Sequence, residues 1–554
     1  MIEKHFFERI EHSGDLHVLL LVDDLSSCAK GLQHNEREQR LRTCLNKLCD
    51  VMDTHVSTTL HIITSDLNLK PSTAQMESGR RLHWIQLRAL NSKEIASVFH
   101  RELQQLDTGN QKSSTLNFYS LLAELCSSGL PRVLEHFKCE ISERYNTEDL
   151  HVREYEDLME EVFRSTKLTP LSYEATAIGL VNESFSPETT ILQEHLSQRV
   201  ESLSNLVAHG VFLRSSANGN EIVPEVTVLG LHSMLIISSA HVSKPSYKIL
   251  RRLLKDILQL QSQITYREEP SVARGLKYEK FHANFELCKL HARAIVLDAV
   301  NNSPLAAAWN IIRAGSPGAP YITGSIADHY HLQYEDKSAD WLILGKNKKL
   351  GTDRNQYLSE KLQWRLFSTP LYSRTSGRSE PFAELLDAVK AKACGMYCMG
   401  ESFPAMDLVI VVKSNTTKAV WCLLLEMKYE EKPNYPSVTH ADLDHKLKVL
   451  NNNGWVKRLK TEGEAERVIM VFVLWRQRIA ELRDETLPSY ANQPDAILLI
   501  GQEQLNKFYA SLRPNAFNIP SSLRSKSGCE LHILVYTRIY SYQYLQYLDT
   551  IFTP

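Results

Sequence analysis

The sequence predicts a multidomain α/β protein, and three observations lead to this fold class. Two apolar runs near the start of the chain, "HVLLLV" and "TLHIIT", are each followed by polar residues, as in buried parallel strands. The last third of the chain alternates amphipathic helical patterns with apolar strand patterns. The chain has 554 residues, 43% of them hydrophobic, and can form several cores because a domain holds roughly 150 residues.

The composition limits the possible environments and partners. Lys and Arg (63) nearly balance Asp and Glu (65), so any nucleic-acid site must be a local basic patch. The ten cysteines include no CxxC pair, and Cys394 and Cys398 have no second pair nearby to complete a zinc site. We therefore expect reduced thiols and an intracellular location. No apolar run reaches membrane-spanning length, and "MIEKHFFERI" lacks the apolar core of a secretory signal, so neither is expected.

The first apolar strand ends at Asp23 and Asp24, and the second ends at Thr64 and Ser65. Polar groups at the carboxyl ends of neighbouring parallel strands lie at the edge where α/β sheets bind ligands. Helical patterns follow, one after Ser92 and one in "FYSLLAELCSSGLPRVLEHF". The alternative for the two aspartates is a structural role as turn or helix caps.

This succession resembles the second half of the AAA/STAND class of P-loop ATPases. The resemblance assigns Asp23 and Asp24 to the Walker B acids, Thr64 or Ser65 to the sensor position, and Arg132 to the sensor arginine of the helical lid. The phosphate-binding GxxxxGK[ST] motif does not occur in the chain. We therefore expect a truncated or degenerate ATPase region without ATP hydrolysis by this chain alone, and a protein partner or a missing N-terminal segment as the source of the other half.

The middle of the chain predicts helices and loops. A helical pattern in "TTILQEHLSQRVESLSNLVAHGVFLRSS" followed by the turn "SANGNE" is typical of a winged helix, and its lack of a Lys/Arg cluster favours a connector over a DNA-binding role. "KILRRLLKDILQLQSQI" predicts an amphipathic helix. "AGSPGAPYITGS" predicts a hinge loop, and "DHYHLQYED", which contains His329 and His331, predicts a surface loop.

The last third of the chain predicts the order helix, strand, strand, helix, strand, strand, helix. The elements are "SEPFAELLDAVKAKACG", the two strands of a hairpin within 405–428, "HADLDHKLKVLNNNGWVKRLK", "ERVIMVFVLW", and the strand and helix of "DAILLIGQEQLNKFYASLRP".

The hairpin brings charged residues together. If it turns symmetrically around residues 416 and 417, Asp407 lies opposite Glu426, and the two-residue period of a strand puts Lys428 on the same face. Facing carboxylates repel by a few tenths to about 1 kcal/mol, whereas a bound Mg²⁺ or Mn²⁺ makes the pair favourable. Lys428 would orient a water or stabilise a developing oxyanion. The alternative is a surface ion pair of Glu426 and Lys428.

These residues resemble the PD-(D/E)xK restriction-endonuclease-like family, with "AMD" at 405–407 and "EMK" at 426–428 as the two motif elements and Pro404 displaced from the usual position. The resemblance implies that Asp407 and Glu426 bind the metal, that Lys428 positions the attacking water, and that Glu384 is a candidate fourth member. Trp455 is a candidate stacking surface. The candidate phosphate contacts, which could equally form a solvated basic face, are Lys446, Lys448, Lys457, Arg458 and Lys460.

An ATPase-like region followed by such a nuclease domain resembles the Crinkler effectors and the retrotransposon hot spot proteins. The resemblance implies a nucleotide-regulated enzyme that cuts DNA, and in Crinklers one that is delivered into a host cell and is often nuclear. The Crinkler leader is not recognised here. The predicted regions are a partial ATPase core (1–75), a helical lid (76–145), a winged-helix connector (146–245), a helical linker (246–370) and a nuclease-like domain (371–554).

Three functions compete. A metal-dependent nuclease needs Asp407, Glu426 and Lys428 together and is the one we favour. A non-catalytic nucleic-acid-binding or chromatin-binding pseudo-nuclease would need only the basic helix. An ATPase switch would need the phosphate cradle that the sequence lacks.

Overall fold

The structure is a computed structural model that describes part of the chain. This part comprises residues 17–22, 59–64, 171–193, 199–203, 206, 212–216, 221–236, 244–265, 271–300, 304–312, 321–332, 340–343, 357–372, 381–400, 403–428, 439–475 and 490–512, with single helical residues at 36, 39, 40, 43, 46, 47, 94, 95, 134, 136, 139, 162 and 164. The chain forms two compact units, Met1–Arg88 with Ser202–Phe212, and Ala89–Glu201 with Leu213–Pro554.

The two predicted N-terminal strands are present and run parallel. Strands β1 (His17–Val22) and β2 (Thr59–Thr64) pair in register, with Val22 opposite Thr64. This arrangement confirms the prediction of two neighbouring parallel strands at the start of the chain. Asp23, Asp24 and Arg132 lie outside the described residues, so the nucleotide-binding interpretation stays a prediction.

The segment predicted as a winged helix contains more strand than expected. Helix α1 (Tyr173–Val181) is followed by four short strands and helix α2 (Val228–Ile236). The strands are β3 (Thr190–Gln193), β4 (Arg199–Ser202), β5 (Phe212–Ser216) and β6 (Ile222–Val226), which form the two-stranded sheets β3–β4 and β5–β6. The helix predicted from residue 189 onward is therefore wrong at these strands, because short apolar runs fit either period and pairing between strands decides the outcome.

Three helices follow. They are α3 (Pro245–Thr265), α4 (Ser271–Ala299) and α5 (Pro304–Ala308). The amphipathic pattern predicted for α3 is confirmed, since Leu250, Leu253, Leu254 and Ile257 are buried along one side. Helix α4 is buried along most of its length, from residue 281 to residue 296.

A mixed sheet of ten strands forms the centre of the C-terminal half. Its strands are β7 (Asn310–Ile312), β8 (Tyr321–Gly324), β9 (Asp340–Ile343), β10 (Leu362–Arg365), β11 (Leu371–Tyr372), β12 (Gly395–Cys398), β13 (Leu408–Ser414), β14 (Val420–Lys428), β15 (Ala465–Leu474) and β16 (Ala496–Ile500). The order is β7-β8-β10-β13-β14-β15-β16-β9, with β12 beside β13 and β11 beside β12. Strands β14, β15 and β16 are parallel, whereas β13 is antiparallel to β14. The sheet thus includes strands from the range predicted as a helical linker.

Helices cover one face of this sheet. They are α7 (Pro381–Lys390), α8 (His440–Asn452) and α9 (Trp455–Thr461), whose apolar side chains form one core cluster with those of β13, β14, β15 and β16. Helix α10 (Gln502–Phe508) and a 3₁₀ turn (Ala510–Leu512) follow β16. The predicted element order is confirmed with two differences. Strand β12 was not predicted, and the single helix predicted across 440–460 is two, because Gly454 takes a left-handed conformation (φ 64°) that interrupts it.

The prediction of a surface loop around His329 is wrong. The Ser325 and Asp328 side chains form a capping box that starts a short helix, α6 (Ile326–Tyr330), and His329 is fully buried. Its Nε2–H donates to Glu286 Oε2 on α4, and its Nδ1 accepts from Arg293 Nη1 at 2.8 Å. These partners define a neutral imidazole. His282 Nε2 lies 3.1 Å from Glu286 Oε1, so two histidines flank one buried carboxylate.

The five described cysteines are free thiols: Cys139, Cys288, Cys394, Cys398 and Cys422. Within the described segments, no helix is both long enough and apolar enough to cross a membrane.

Acid is expected to destabilise the protein through its buried histidines. Burial lowers the pKa of His329 to about 4 against the opposing effect of Glu286, and burial alone lowers the pKa of His232 to about 4, from an ordinary 6.5. Between these values the unfolded chain binds protons that the folded protein excludes. The free energy of unfolding therefore falls with falling pH, by about 1.4 kcal/mol per pH unit for each such histidine.

Urea unfolding followed across this pH window measures the slope. His329→Gln should make the pH dependence shallower, and His445→Gln, at an exposed position of α8, should leave it unchanged. An equal slope in wild type and His329→Gln would contradict the assignment of a neutral buried His329.

Candidate functional site

The register of the β13–β14 hairpin is the one that the sequence predicts. Leu408 pairs with Leu425, and the antiparallel pairing runs without a shift to Lys413 and Val420. Continued by one residue, this register puts Asp407 opposite Glu426. Asp407 N donates to Leu425 O (2.8 Å), and Met427 N donates to Asp407 Oδ2 (2.6 Å). The Asp407 side chain is therefore held against the strand that carries Glu426.

The three motif residues lie on the face of the sheet that α8 covers. Cys422 and Leu424 of β14 belong to the core beneath the helices, and Glu426 and Lys428 continue the same alternation. Asp407 stands in the same relation to Val409 of β13. The strand period thus brings two carboxylates and one ammonium to the same face of the sheet, where β13 begins and β14 ends.

Glu426 is the most deeply buried member of the site. Its side chain is 1% exposed, and its Oε1 is in ion-pair contact with Lys428 Nζ and, at 2.6 Å, with Lys446 Nζ. Both oxygens are buried, and neither meets the geometry of a hydrogen bond from the described residues. Oε1 thus has two ammonium groups in ion-pair contact, and Oε2 keeps its acceptor capacity.

Lys446 reaches this carboxylate from helix α8. The helix starts with a capping box of Thr439 and Asp442, and it buries Leu443 and Leu447 on the side that faces the sheet. Lys446 shares this side, and its Nζ also donates to Pro404 O at 2.8 Å. Its side chain is 17% exposed. The structure therefore places Lys446, a predicted phosphate contact, inside the carboxylate site.

The surroundings of the site raise the pKa of two of its members, Asp407 and Lys428. Burial first, and then the negative charges of Glu426 and Glu279, raise the pKa of Asp407 well above its usual range, against the Met427 N–H and Lys428. Burial lowers the pKa of Lys428, but Glu426, Asp407 and Glu279 outweigh this effect, so its pKa is raised. Lys428 is thus a charged ammonium at neutral pH.

Glu279 is a site residue that sequence reasoning missed. It lies half-buried on α4, and its charge acts on Asp407 and Lys428. No motif marks it, because it belongs to a long helix far upstream of the hairpin. Glu384, the predicted fourth member, is exposed on α7 on the side opposite the buried Phe382 and Leu385.

The other predicted phosphate contacts divide into two groups. Arg458 Nε is 3.0 Å from Glu462 Oε1, and Lys460 Nζ is 2.7 Å from Asp495 Oδ1. Lys448 and Lys457 are exposed. These two exposed lysines therefore offer a more accessible charge to a phosphate backbone than Arg458 and Lys460 do.

Trp455 is not available as a stacking surface. It is 9% exposed, it stacks on Phe403 with ring centroids 4.5 Å apart, and it lies 5.8 Å from the ring of Phe382. The prediction that its ring receives a base is wrong, because the residues of α7 and the segment before β13 cover it.

The donor set fits a hydrated divalent cation. In the part of the chain that the structure describes, no group of three or more His, Cys, Asp or Glu side chains forms a metal cluster. Mg²⁺, however, usually takes one or two carboxylates and completes its shell with water and substrate oxygens. Asp407 and Glu426, with the donor-free Glu426 Oε2, match that share. A closed zinc cage would need four protein ligands.

Comparison with known proteins found no matching family model, no matching curated protein and no matching solved structure. The basis for assigning a function is therefore the site itself.

Trp455→Ala should lower the free energy of unfolding by about 3 to 5 kcal/mol, because it removes a buried indole from the core of the sheet. Chemical denaturation measures this loss. Lys457→Ala, two positions along the same helix and exposed, should change stability by less than about 0.5 kcal/mol. A Trp455→Ala protein of normal stability and reduced nucleic-acid binding would show instead that the ring serves a ligand.

Proposed function

We propose that this protein is a metal-dependent nuclease that hydrolyses phosphodiester bonds, with DNA as the expected substrate. The observation that carries the proposal is the buried Glu426 carboxylate, opposite Asp407 and in contact with Lys428 at the end of β14. Two carboxylates and a lysine in this arrangement supply what phosphodiester hydrolysis needs, namely a cation site beside a protonated group.

Each residue has a role in this proposal. Asp407 and Glu426 would hold the Mg²⁺ or Mn²⁺ ion, and a bound ion would polarise the scissile phosphate and lower the pKa of a bound water. Lys428 remains protonated and directs its ammonium toward the place where negative charge develops. Glu279 adds negative charge beside Asp407, which favours a cation at this edge of the sheet.

A purely structural role explains the site less well. Burying charged groups costs several kcal/mol each, and apolar residues of similar volume are often as stable or more stable. From Val420 to Leu425 strand β14 is entirely apolar and buried, so nothing in its packing calls for a glutamate at the next position. The charged cluster at the strand end is therefore better explained by chemistry than by stability.

The wider identity belongs to the same proposal. A Crinkler-like or retrotransposon hot spot-like protein, regulated through an ATPase-like region and acting on nuclear DNA, would combine this site with the parallel pair β1–β2. That pair supports an α/β region and does not by itself support nucleotide binding.

Plasmid cleavage in Mg²⁺ and Mn²⁺, with EDTA as the metal-free reference, tests the proposal. Glu426→Gln and Lys428→Ala should each reduce the rate by about two orders of magnitude, since electrostatic contributions of this kind are worth roughly 2.7 to 4 kcal/mol. Glu384→Gln is the matched control, because it makes the same substitution at an exposed position of α7, and it should leave the rate unchanged.

The same assay on RNA defines the substrate class. If wild type and Glu426→Gln are equally inactive with both metals while both bind DNA, the nuclease assignment fails and the binding-module alternative replaces it.

DNA binding should depend on the exposed lysines and not on the paired ones. The double variant Lys448→Ala and Lys457→Ala should weaken binding and reduce the slope of log K against log salt by about 1.8 for duplex DNA, because each phosphate contact contributes about 0.9. Lys460→Ala, whose ammonium is paired with Asp495, should leave the slope unchanged. Fluorescence anisotropy over a salt series measures both, and equal slopes in all three proteins would place the DNA elsewhere.

A further inference from the structure

The contact between Lys446 and Glu426 is not needed by the motif that the hairpin carries. Lys428 already supplies one ammonium to Glu426, from two positions along the same strand. Lys446 comes from a different element, helix α8, and its Nζ reaches the same oxygen, Oε1, at 2.6 Å. The site therefore contains a second cation whose partner is the proposed metal-binding carboxylate.

A hydrogen bond to a backbone carbonyl and the packing of helix α8 fix the position of this second ammonium. Lys446 Nζ donates to Pro404 O at 2.8 Å, immediately before the segment that leads to Asp407. The buried Leu443, Leu447 and Leu450 hold α8 against the sheet on either side of it. The lysine is thus anchored between the two strands of the site, with its side chain only 17% exposed.

The two oxygens of Glu426 differ in their ion-pair contacts. Both oxygens are buried, and neither meets the geometry of a hydrogen bond from the described residues, but the contacts with the two ammonium groups are made by Oε1. A carboxylate held through one oxygen presents the other in a defined direction. A divalent cation that approaches Oε2 meets a preoriented ligand and also the repulsion of two nearby positive charges.

We propose that Lys446 is a positioning residue that holds Glu426 through Oε1 and thereby sets the metal requirement of the site. This inference rests on the proposed function, because it treats Glu426 as a metal ligand. In the metal-free protein Lys446 supplies part of the charge that a cation supplies when bound. In the loaded protein it keeps the Glu426 carboxylate oriented and limits metal affinity by repulsion.

Lys446→Met tests the proposal, since it keeps the length of the stem and removes the charge. We expect Mn²⁺ to bind this variant at least tenfold more tightly than wild type by isothermal titration calorimetry, because one repelling charge is gone. We expect the melting temperature in EDTA to fall and Mn²⁺ to raise it by more than in wild type. Cleavage at saturating Mn²⁺ should fall at least tenfold because the carboxylate is no longer clamped.

Three further proteins make the result specific. Lys446→Arg keeps a cation at the position and should retain an Mn²⁺ affinity within threefold of wild type. Lys392→Met removes a lysine from an exposed ion pair with Glu464 (3.7 Å) and should change neither Mn²⁺ affinity nor cleavage. In the double variant Glu426→Gln and Lys446→Met, the gain in Mn²⁺ affinity should disappear, because without the Glu426 carboxylate the ion is no longer held near position 446.

The outcomes separate this inference from the proposed function. If wild type cleaves DNA and Glu426→Gln does not, but Lys446→Met binds Mn²⁺ with wild-type or weaker affinity, the nuclease assignment stands and the role of Lys446 is overturned. A lower melting temperature that Mn²⁺ does not restore would likewise make Lys446 a merely structural residue. If wild type neither binds Mn²⁺ nor cleaves, both proposals fail.

Discussion

The burial of the Glu426 carboxylate is the constraint on which the arrangement of the C-terminal half depends. A charged group that is 1% exposed is tolerated only when the fold itself neutralises it. Lys428 does so from the same strand and Lys446 from helix α8. Helix α8 must therefore dock in one orientation, and the leucines that bury its inner face provide the apolar contact that makes this docking favourable.

A second buried carboxylate plays the equivalent role on the opposite face of the sheet. Leu287 and Leu290 of α4 line a small space with Ile410 and Val412 of β13, the residues that alternate with those facing α8. On the same helix, Glu286 binds His329 and lies beside His282. Helix α4 is thus tied to the sheet through α6 by hydrogen bonds as well as by apolar packing. The same helix carries Glu279 toward Asp407, so its position also affects the charge of the candidate site.

The topology explains why the site forms at one edge. Strand β14 ends at Lys428, and β13, which is antiparallel to it, begins just after Asp407, so the two ends lie side by side. Strands β14 and β15 are parallel, and in sheets with parallel strands ligands bind beyond the carboxyl ends. The apolar strands form the buried centre of the sheet, while Asp407, Glu426 and Lys428 lie at the strand ends.

The sequence by itself determined the hairpin and its register, because both follow from the two-residue period of a strand and from equal distances to a polar turn. It also determined α3, α7, β15 and β16, whose patterns are local. Only the tertiary structure decided the partner of Lys446, the burial of Trp455 and His329, and the approach of Glu279 to Asp407. A lysine or tryptophan on an amphipathic helix has the same local pattern whether it faces solvent or another element. Its role is decided by contacts between residues that are far apart in the chain.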